Sequence, residues 1–445
     1  MKIIIAGAGE VGYHLAKHLS NEDHDITVID IDQENLERVN SVMDVLTITG
    51  SSTSLQILKQ ANCEKTDLLI AVTSSESINV NTTILAKQLG AKKTVARVEC
   101  AEYVSKNNLE MFKNIGIDHL IYPEELAANE VTKLIQRAVA TDIIEFENGK
   151  LSLLGLKLEA HLPIIRKKIV EIARSLETIK FRIVAIHRGI NTIIPTGDDI
   201  LLPDDQIFVI TTSEGIEELT KLIGKDQSKL NNIMILGGGK IGRIAAKQLE
   251  NELNLKLIEH DKDKTIELAD YLEKTLVIQG DGRDLDLLAQ EGIVDMKGFV
   301  AVTQDAETNI ITSLMAKHLG VTKTITLVDN VDYISLTQTI GLDSLINKKL
   351  IAVNNILKFI RKANVISIAT LQGVDAEVLE YIAKPKSNIT KKQVMDLKFP
   401  KNAIIGGYIR DDVSYISVGN TQIKENDKVV VFSLPSAIKK VEKFF

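Results

Sequence analysis

Short apolar runs alternate with amphipathic stretches along the first quarter of the chain. The runs are Lys2–Ala6, Ile26–Asp30, Val45–Thr49, Leu68–Val72, Val95–Val98 and Leu120–Tyr122, and each reads as a strand. Helical spacing of apolar residues lies between them, near 11–20, 32–40, 51–60, 76–89 and 101–113. Strands alternating with helices predict a parallel sheet covered on both faces. A longer helical pattern, roughly Pro123 to Ala140, then leaves that sheet. Small α/β units of about 80 residues follow, built on stretches such as Ile183–Gly189 and Ile207–Ile210.

The whole pattern then repeats. Asn232-Ile233-Met234-Ile235-Leu236-Gly237-Gly238-Gly239-Lys240-Ile241-Gly242 restates Lys2-Ile3-Ile4-Ile5-Ala6-Gly7-Ala8-Gly9-Glu10-Val11-Gly12, with Gly237 lying 230 residues after Gly7. Thr49-Gly50 returns as Gln279-Gly280, Ala71-Val72-Thr73 as Ala301-Val302-Thr303, and Ala86–Gly90 as Ala316–Gly320. The helix after the second sheet runs roughly from Asn347 to Lys362. In the small units, Ile183–Gly189 is matched with Ala403–Ile409, and Ile207–Ile210 with Lys428–Phe432. The expected fold class is α/β: two Rossmann-like doubly wound parallel-sheet domains, each followed by a small α/β domain. The limits drawn are 1–140, 141–225, 231–362 and 363–445, with a polar linker over 224–232.

Composition narrows the function classes. Of 445 residues 44% are hydrophobic but only 4% aromatic, with no Trp, which suits Ile-, Leu- and Val-rich parallel strands. A net charge of −7 argues against nucleic acid as a partner. The two cysteines, Cys63 and Cys100, are too few for a metal site of their own and read as reduced. The chain enters a strand at residue 2 and has no apolar run of the roughly 18 residues a membrane span needs, so neither a signal peptide nor a span is expected.

The candidate chemistry gathers at the glycine turns. In G-x-G-x-x-G, Gly7 permits the sharp turn, Gly9 admits a pyrophosphate to the backbone, and Gly12 lets helix and strand pack closely. The helix behind offers free N–H groups and a positive dipole end. Gly237, Gly239 and Gly242 stand in the same places in the second copy. An acid at the end of the second strand accepts from ribose hydroxyls; Asp30 and Glu259 are so placed, which favours NAD(H) or an adenosine nucleotide over a 2′-phosphorylated one. Gly50-Ser51-Ser52 and Gly280-Asp281-Gly282 fall where an adenosine would lie, and Thr73-Ser74 and Thr303-Gln304 beside the phosphates. Ser and Thr there serve equally well as helix caps. Arg97 ends the fifth strand with an unpaired charge aimed at the phosphate crevice, with a surface pair to Glu99 as the alternative; Leu327 holds its place in the second copy. Tyr13-x-x-x-Lys17 has dehydrogenase-like spacing, but it follows the glycine turn directly and fits helical amphipathicity better. The histidines show no metal spacing, and no catalytic residue or metal ligand is assigned.

Together, the glycine turn at residue 7, Asp30, Thr73, Asn79 and Arg97, the following small domain and the full duplication resemble the cytosolic regulators with tandem RCK (KTN) domains that serve Trk-type potassium uptake. The resemblance implies NAD(H), and ATP or ADP, as cofactors in the N-terminal crevices. It implies nucleotide contacts from Gly7, Ala8, Gly9, Glu10, Val11, Asp30, Thr73, Ser74 and Arg97, and from Gly237, Gly238, Gly239, Lys240, Ile241 and Glu259. The small domains resemble TrkA-C modules, which in some relatives bind cyclic di-AMP. A homo-oligomer, dimer or tetramer ring, is implied, docked on the cytoplasmic face of the membrane beneath a Trk-type potassium-translocating subunit. Two departures stand out: Ser51 and Ser52 lack the acid that Asp281 keeps, and Leu327 replaces the arginine. A nucleotide-dependent change of state is the expected mechanism. The rival readings are an NAD-dependent dehydrogenase and a regulator of a different ion transporter.

Overall fold

The structure, a computed structural model, describes residues 1–20, 24–137, 140–147, 149–174, 180–189, 191–223, 230–331, 333–334, 340–360, 365–371, 374 and 376–445. By packing it divides into two units, Met1–Ala128 with Asn347–Ile360, and Asn129–Ile346 with Arg361–Phe445.

In the first unit, β1 (Lys2–Ala6), β2 (Asp25–Asp30), β3 (Leu46–Thr49), β4 (Leu68–Ala71), β5 (Lys93–Arg97) and β6 (His119–Ile121) form one sheet in the order β3-β2-β1-β4-β5-β6. Every pairing is parallel. The order reverses between β1 and β4, and a crevice opens there at the carboxyl ends of the strands. Ile3, Ile4 and Ile5 are buried because helices cover both faces. α1 (Glu10–Ser20) buries Val11, Leu15, Ala16 and Leu19, one stripe of a 3.6-residue period. α2 (Gln33–Asn40) and α3 (Leu55–Gln60) are capped by Asp32 and Ser54. Ser51–Thr53 is therefore a turn rather than the start of a helix. α4 (Glu76–Leu89) buries small and polar residues, Asn79, Thr82, Thr83 and Ala86, and so lies close to the sheet. The helix expected over 101–113 is broken: a 3-10 turn at Ala101–Val104 and α5 (Lys106–Asn114) flank the extended Ser105.

The cover of this sheet is completed from far along the chain. A helix at Lys348–Ile360 inserts Ala352, Val353, Ile356, Leu357 and Ile360 into the core formed by Ile3, Ile5, Leu15 and Leu19. His119 stacks on its Phe359, ring centroids 4.8 Å apart and planes 8° from parallel, and shares a 3.2 Å hydrogen bond with Asn355. The repeat had placed this segment with the second sheet; its packing places it on the first. Residues 361–362, its expected end, lie outside the described residues.

α6 (Pro123–Gln136) ends before the expected Ala140 and crosses the division between units at Asn129. In the second unit its Thr132 donates to Gln248 (2.7 Å), which donates in turn to Asn129 (2.8 Å). The first small sheet follows: β7 (Asp142–Phe146), β8 (Leu151–Lys157), β9 (Phe181–Arg188), β10 (Asn191–Ile193) and β11 (Gln206–Thr212), antiparallel in the order β10-β9-β11-β8-β7. α7 (Ile169–Arg174) and α8 (Gly215–Ile223) accompany it.

The second parallel sheet, β12 (Asn232–Leu236), β13 (Asn254–Glu259), β14 (Leu276–Gln279), β15 (Gly298–Ala301), β16 (Lys323–Leu327) and β17 (Ser344–Ile346), repeats the first in the order β14-β13-β12-β15-β16-β17. Its helices are α9 (Lys240–Leu249), α10 (Lys262–Tyr271), α11 (Leu285–Gln290) and α12 (Ala306–His318). The Lys348–Ile360 helix, which comes next in the chain, is α13.

The second small sheet is β18 (Val365–Thr370), β19 (Glu377–Ile382), β20 (Ala403–Arg410), β21 (Val413–Ile416) and β22 (Lys428–Ser433), with α14 (Ile438–Glu442). The two small sheets share one core, with Phe208 and Phe432 6.2 Å apart at its centre. Each is tied by a buried aspartate gripping an arginine at both nitrogens: Asp205 with Arg188 (2.7 and 2.7 Å) and Asp427 with Arg410 (2.8 and 2.6 Å). Arg188 thus matches Arg410, two residues out of step with the repeat read from the sequence. A slip of two keeps every side chain on its own face, so alternation could not detect it. Among the described residues, no helix is long and apolar enough to cross a membrane.

Candidate functional site

The first crevice is a cavity of about 480 Å³. Gly7, Gly9, Glu10, Val11, Asp30, Ser51, Thr73, Ser74 and Arg97 line it, as do Asn35, Lys348 and Lys349. The three glycines of the turn differ in what surrounds them. Gly7 adopts φ +107°, and a Cβ there would stand 2.9 Å from the Thr73 amide. Gly9 has nothing within 4 Å of where its Cβ would be, on the open side of the turn. A Cβ on Gly12 would lie 1.8 Å from the Gly7 carbonyl, which fixes how closely α1 crosses β1. Ala8 and Gly12 support the cavity from behind rather than lining it.

The acid at the end of β2 holds the turn together. Asp30 accepts from the Ala8 amide with one oxygen and from the Asp32 amide (2.9 Å) with the other. A carboxylate has about four acceptor positions, so two bonds leave capacity toward the cavity. Thr73 is clamped by Asn79, whose Oδ1 accepts from the Thr73 amide (2.8 Å) and hydroxyl (2.7 Å). The Asn79 Nδ2 donates to the carbonyls of Thr73 (3.1 Å) and Arg97 (3.0 Å). One buried amide thereby joins the ends of β4 and β5.

Arg97 is not unpaired. Its Nη2 reaches Glu99 at 3.0 Å, because residues two apart on an extended strand end share a face. It still lines the cavity, and its Nε is buried without a hydrogen-bond partner. Glu10 sits between opposing influences. Burial disfavours its charged form, but Arg38 (2.8 Å), with Lys349 and His14 nearby, holds its carboxyl below the ordinary range.

The second crevice is smaller, about 310 Å³, and includes Gly237, Gly239, Glu259, Asp281 and Thr303. Gly238, Lys240, Ile241 and Gly242 are not part of its lining. Gly242 backs the turn, a Cβ there meeting the Gly237 carbonyl at 2.0 Å. Glu259 accepts from the Gly238 amide (2.8 Å) and the Asp261 amide (3.0 Å), as Asp30 does from its own turn. The glutamate is one carbon longer, and the turn makes room for it. A Cβ at 238, where the first copy has Ala8, would lie 3.1 Å from the Glu259 carboxylate and 2.2 Å from Leu268. Asn309 repeats the clamp, from Thr303 (2.9 and 2.7 Å) to the Leu327 carbonyl (3.1 Å). Arg283 grips Asp281 at 2.7–3.1 Å and pulls its carboxyl down to about 2.

Sequence reasoning missed Lys348 and Lys349. They lie about 340 residues from the glycine turn, and no local signal links them to it. Asn79 was singled out without a role; its signal was the Thr-Asn spacing of six residues present in both copies.

Fold and crevices together define a duplicated Rossmann-type protein in which each parallel sheet is followed by a small antiparallel one. The TrkA-N domain model matches residues 3–123 and 233–348, and the TrkA-C domain model matches 153–224 and 378–445. Trk system potassium uptake protein TrkA homolog 1 of Methanosarcina mazei is 36% identical over 454 residues, covering 100% of both chains. Trk system potassium uptake protein TrkA of Haemophilus influenzae is 33% identical over 455 residues, covering 100% of this chain and 98% of its own. The chain belongs to the Trk system potassium uptake protein TrkA family. The fold is similar to that of the structure described as GsuK channel bound to NAD, with a TM-score of 0.61, 17% identity, and coverage of 100% of this chain and 78% of that one.

Proposed function

We propose that this protein is the nucleotide-sensing regulatory subunit of a Trk-type potassium uptake system, with the first crevice as its principal sensor. The observation that carries this is the assembly at one cavity of an open Gly9, a fixed Asp30 and the Arg97 guanidinium. A dinucleotide or adenosine nucleotide needs those three features: backbone approach, a ribose acceptor and a phosphate cation. NAD(H), ATP or ADP is the ligand class. The residues named at each crevice supply binding and orientation, and no catalytic role is assigned to any of them.

Family membership supports potassium uptake as the process and a membrane potassium-translocating subunit as the partner, reached from the cytoplasmic side by a homo-oligomer of this chain. A nucleotide can shift such an assembly only by its differential affinity for two states. The second crevice lacks the arginine and commits Arg283 to Asp281, so the phosphate-dependent response belongs to the first. Calorimetric titration of the full chain with NAD, NADH, ATP and ADP tests the reading, with Gly9→Asp and Arg97→Ala alongside. Gly9→Asp abolishes binding at the first crevice, and Arg97→Ala weakens phosphate-rich ligands about tenfold. Unchanged affinity in both variants refutes the site.

A further inference from the structure

We propose that the second small domain presents a lysine-rich face that docks on anionic phospholipid headgroups, so that this chain meets the membrane itself as well as a protein partner. Residues 383–402, between β19 and β20, carry Lys384, Lys386, Lys391, Lys392, Lys398 and Lys401, with Asp396 as their single acid. Residues 435–445, after β22, add Lys439, Lys440 and Lys443, with Glu442 as theirs. All nine lysines are exposed. Glu425 accepts from the Lys386 amide (3.3 Å) at the edge of this surface. Counting Glu425 and a carboxylate on Phe445 as well, positive charges still exceed negative by five, in a chain of net charge −7.

The two segments lie side by side because their apolar residues share one core. Ile389 and Val441 are buried in it, and Leu397, Phe399, Ile438 and Phe444 pack against it. The Ile389 amide donates to the Phe444 carbonyl and Asn388 Nδ2 to the Lys443 carbonyl, both at 3.0 Å. Asn402 Nδ2 donates to Ser436 Oγ at 3.1 Å. With these residues turned inward, the lysines between them are left on the outer side. The aromatic rings of both segments also face inward. Phe399 meets Phe444 edge to face at 5.1 Å, and Phe445 stacks on Tyr381 at 4.3 Å, so they are engaged in packing and offer no platform for nucleic-acid bases. None of the nine cations is an arginine, the side chain whose fork reads phosphates and base edges. Ammonium charges on flexible stems suit headgroups that hold no fixed position. The choice of a membrane as the anionic surface also rests on the potassium-uptake reading above.

The corresponding residues of the first small domain lack this surplus. With Arg188 aligned on Arg410 and Asp205 on Asp427, they are 161–180 and 213–223. These carry six Lys or Arg against five Glu. Two of the six are paired, Lys168 with Asp198 (3.0 Å) and Lys180 with Glu214 (3.2 Å). A fold requirement for cations at these positions would hold in both copies. The surplus belongs to the second small domain.

The test floats the full chain, with no partner protein, on vesicles of phosphatidylcholine alone and of phosphatidylcholine and phosphatidylglycerol in equal parts. We expect binding to the anionic vesicles only, falling steeply with added salt. At about fivefold per lysine, Lys391→Gln/Lys392→Gln/Lys398→Gln/Lys401→Gln weakens it about a hundredfold or more. Lys391→Arg/Lys392→Arg/Lys398→Arg/Lys401→Arg keeps the charge and retains binding within about threefold. It also serves as the folded reference should the glutamine variant melt early. Arg166→Gln/Lys167→Gln, in the first small domain, leaves flotation unchanged. No flotation on anionic vesicles, equal flotation on phosphatidylcholine alone, unchanged binding in the glutamine variant, or an equal loss in the Arg166→Gln/Lys167→Gln variant overturns the docking face. Tighter binding of a single-stranded RNA through the same four lysines overturns it in favour of nucleic acid. Nucleotide titration separates this inference from the reading above. If flotation fails while Gly9→Asp still abolishes nucleotide binding, only the docking face fails; if flotation holds while Gly9→Asp changes nothing, only the nucleotide reading fails.

Discussion

Replacing Asn79 with alanine should loosen the rim of the first crevice while leaving the rest of the chain in place. The side chain is 1% exposed and makes four hydrogen bonds, two accepted from Thr73 and one donated to each of the Thr73 and Arg97 carbonyls. At about 1 kcal/mol net per bond, and more where a buried partner is stranded, the local cost is about 3–4 kcal/mol. A two-unit chain need not unfold in one step, so a melting temperature does not localise this loss to the strand ends. Hydrogen exchange by mass spectrometry reads the strand ends directly. Peptides covering 72–79 and 95–99 should exchange about a hundredfold faster or more, since each 1.4 kcal/mol is a factor of ten in the opening equilibrium. Asn309→Ala is the matched control: its clamp has the same geometry, so it should speed exchange at 302–309 and 325–329 and leave the first set unchanged. Asn79→Asp keeps the acceptor but turns a charge toward two carbonyls, and should be at least as disruptive. Asn79→Ala with wild-type exchange at 72–79 would refute the clamp.

Two further outcomes follow from the geometry. Gly242→Ala places a Cβ 2.0 Å from the Gly237 carbonyl, against backbone that cannot step aside; overpacking of about 3 kcal/mol should lower the melting transition of the unit that contains it by calorimetry, and a wild-type profile would contradict the packing. Burial lowers the His14 pKa, only partly offset by Glu10, and burial lowers that of His187. Below about 6.5 the unfolded chain then binds more protons than the folded one, so stability is full above that pH and falls as pH drops toward the lower folded values. Melting temperature should therefore decrease from pH 7.5 to 5.5 with a shallower slope in His14→Gln, and an equal slope in that variant would exclude His14 as a contributor.

Much of this was readable from residues alone, because it depends on local rules. Gly12 meets the Gly7 carbonyl within the turn itself, and Asp30 reaches Ala8 across one strand pairing. What escaped depends on facts that periodicity does not carry. The apolar stripe of α13 shows that one face is buried but not which sheet buries it. Its assignment to the first sheet comes from the shape of Leu15, Leu19 and His119 against Ile356 and Phe359. Of the two sequence readings of Arg97, the pair to Glu99 is present, and the residue also lines the cavity. In the small domains a two-residue slip is invisible to alternation and is settled by the buried Arg188–Asp205 and Arg410–Asp427 pairs.

The two copies separate what the fold requires from what a ligand would meet. Both keep the positive-φ glycine, the asparagine clamp and an acid bonded to the turn. These have closely matching geometry, because both copies build the same strand–turn–helix junction. The acid shows how far that frame can bend. Asp30 becomes Glu259 only where Ala8 becomes Gly238, since the added carbon takes the space a Cβ would fill. The differences that no packing constraint forces fall at positions that line the first cavity in one copy. Arg97 gives way to Leu327, Ser51 to Asp281, and the helix starts carry lysines in one half and glutamates in the other. Charge changes of this kind leave the backbone frame intact and alter the field a phosphate would feel. Two copies held to one task would have no reason to diverge there, whereas sites of different preference would diverge at those positions first.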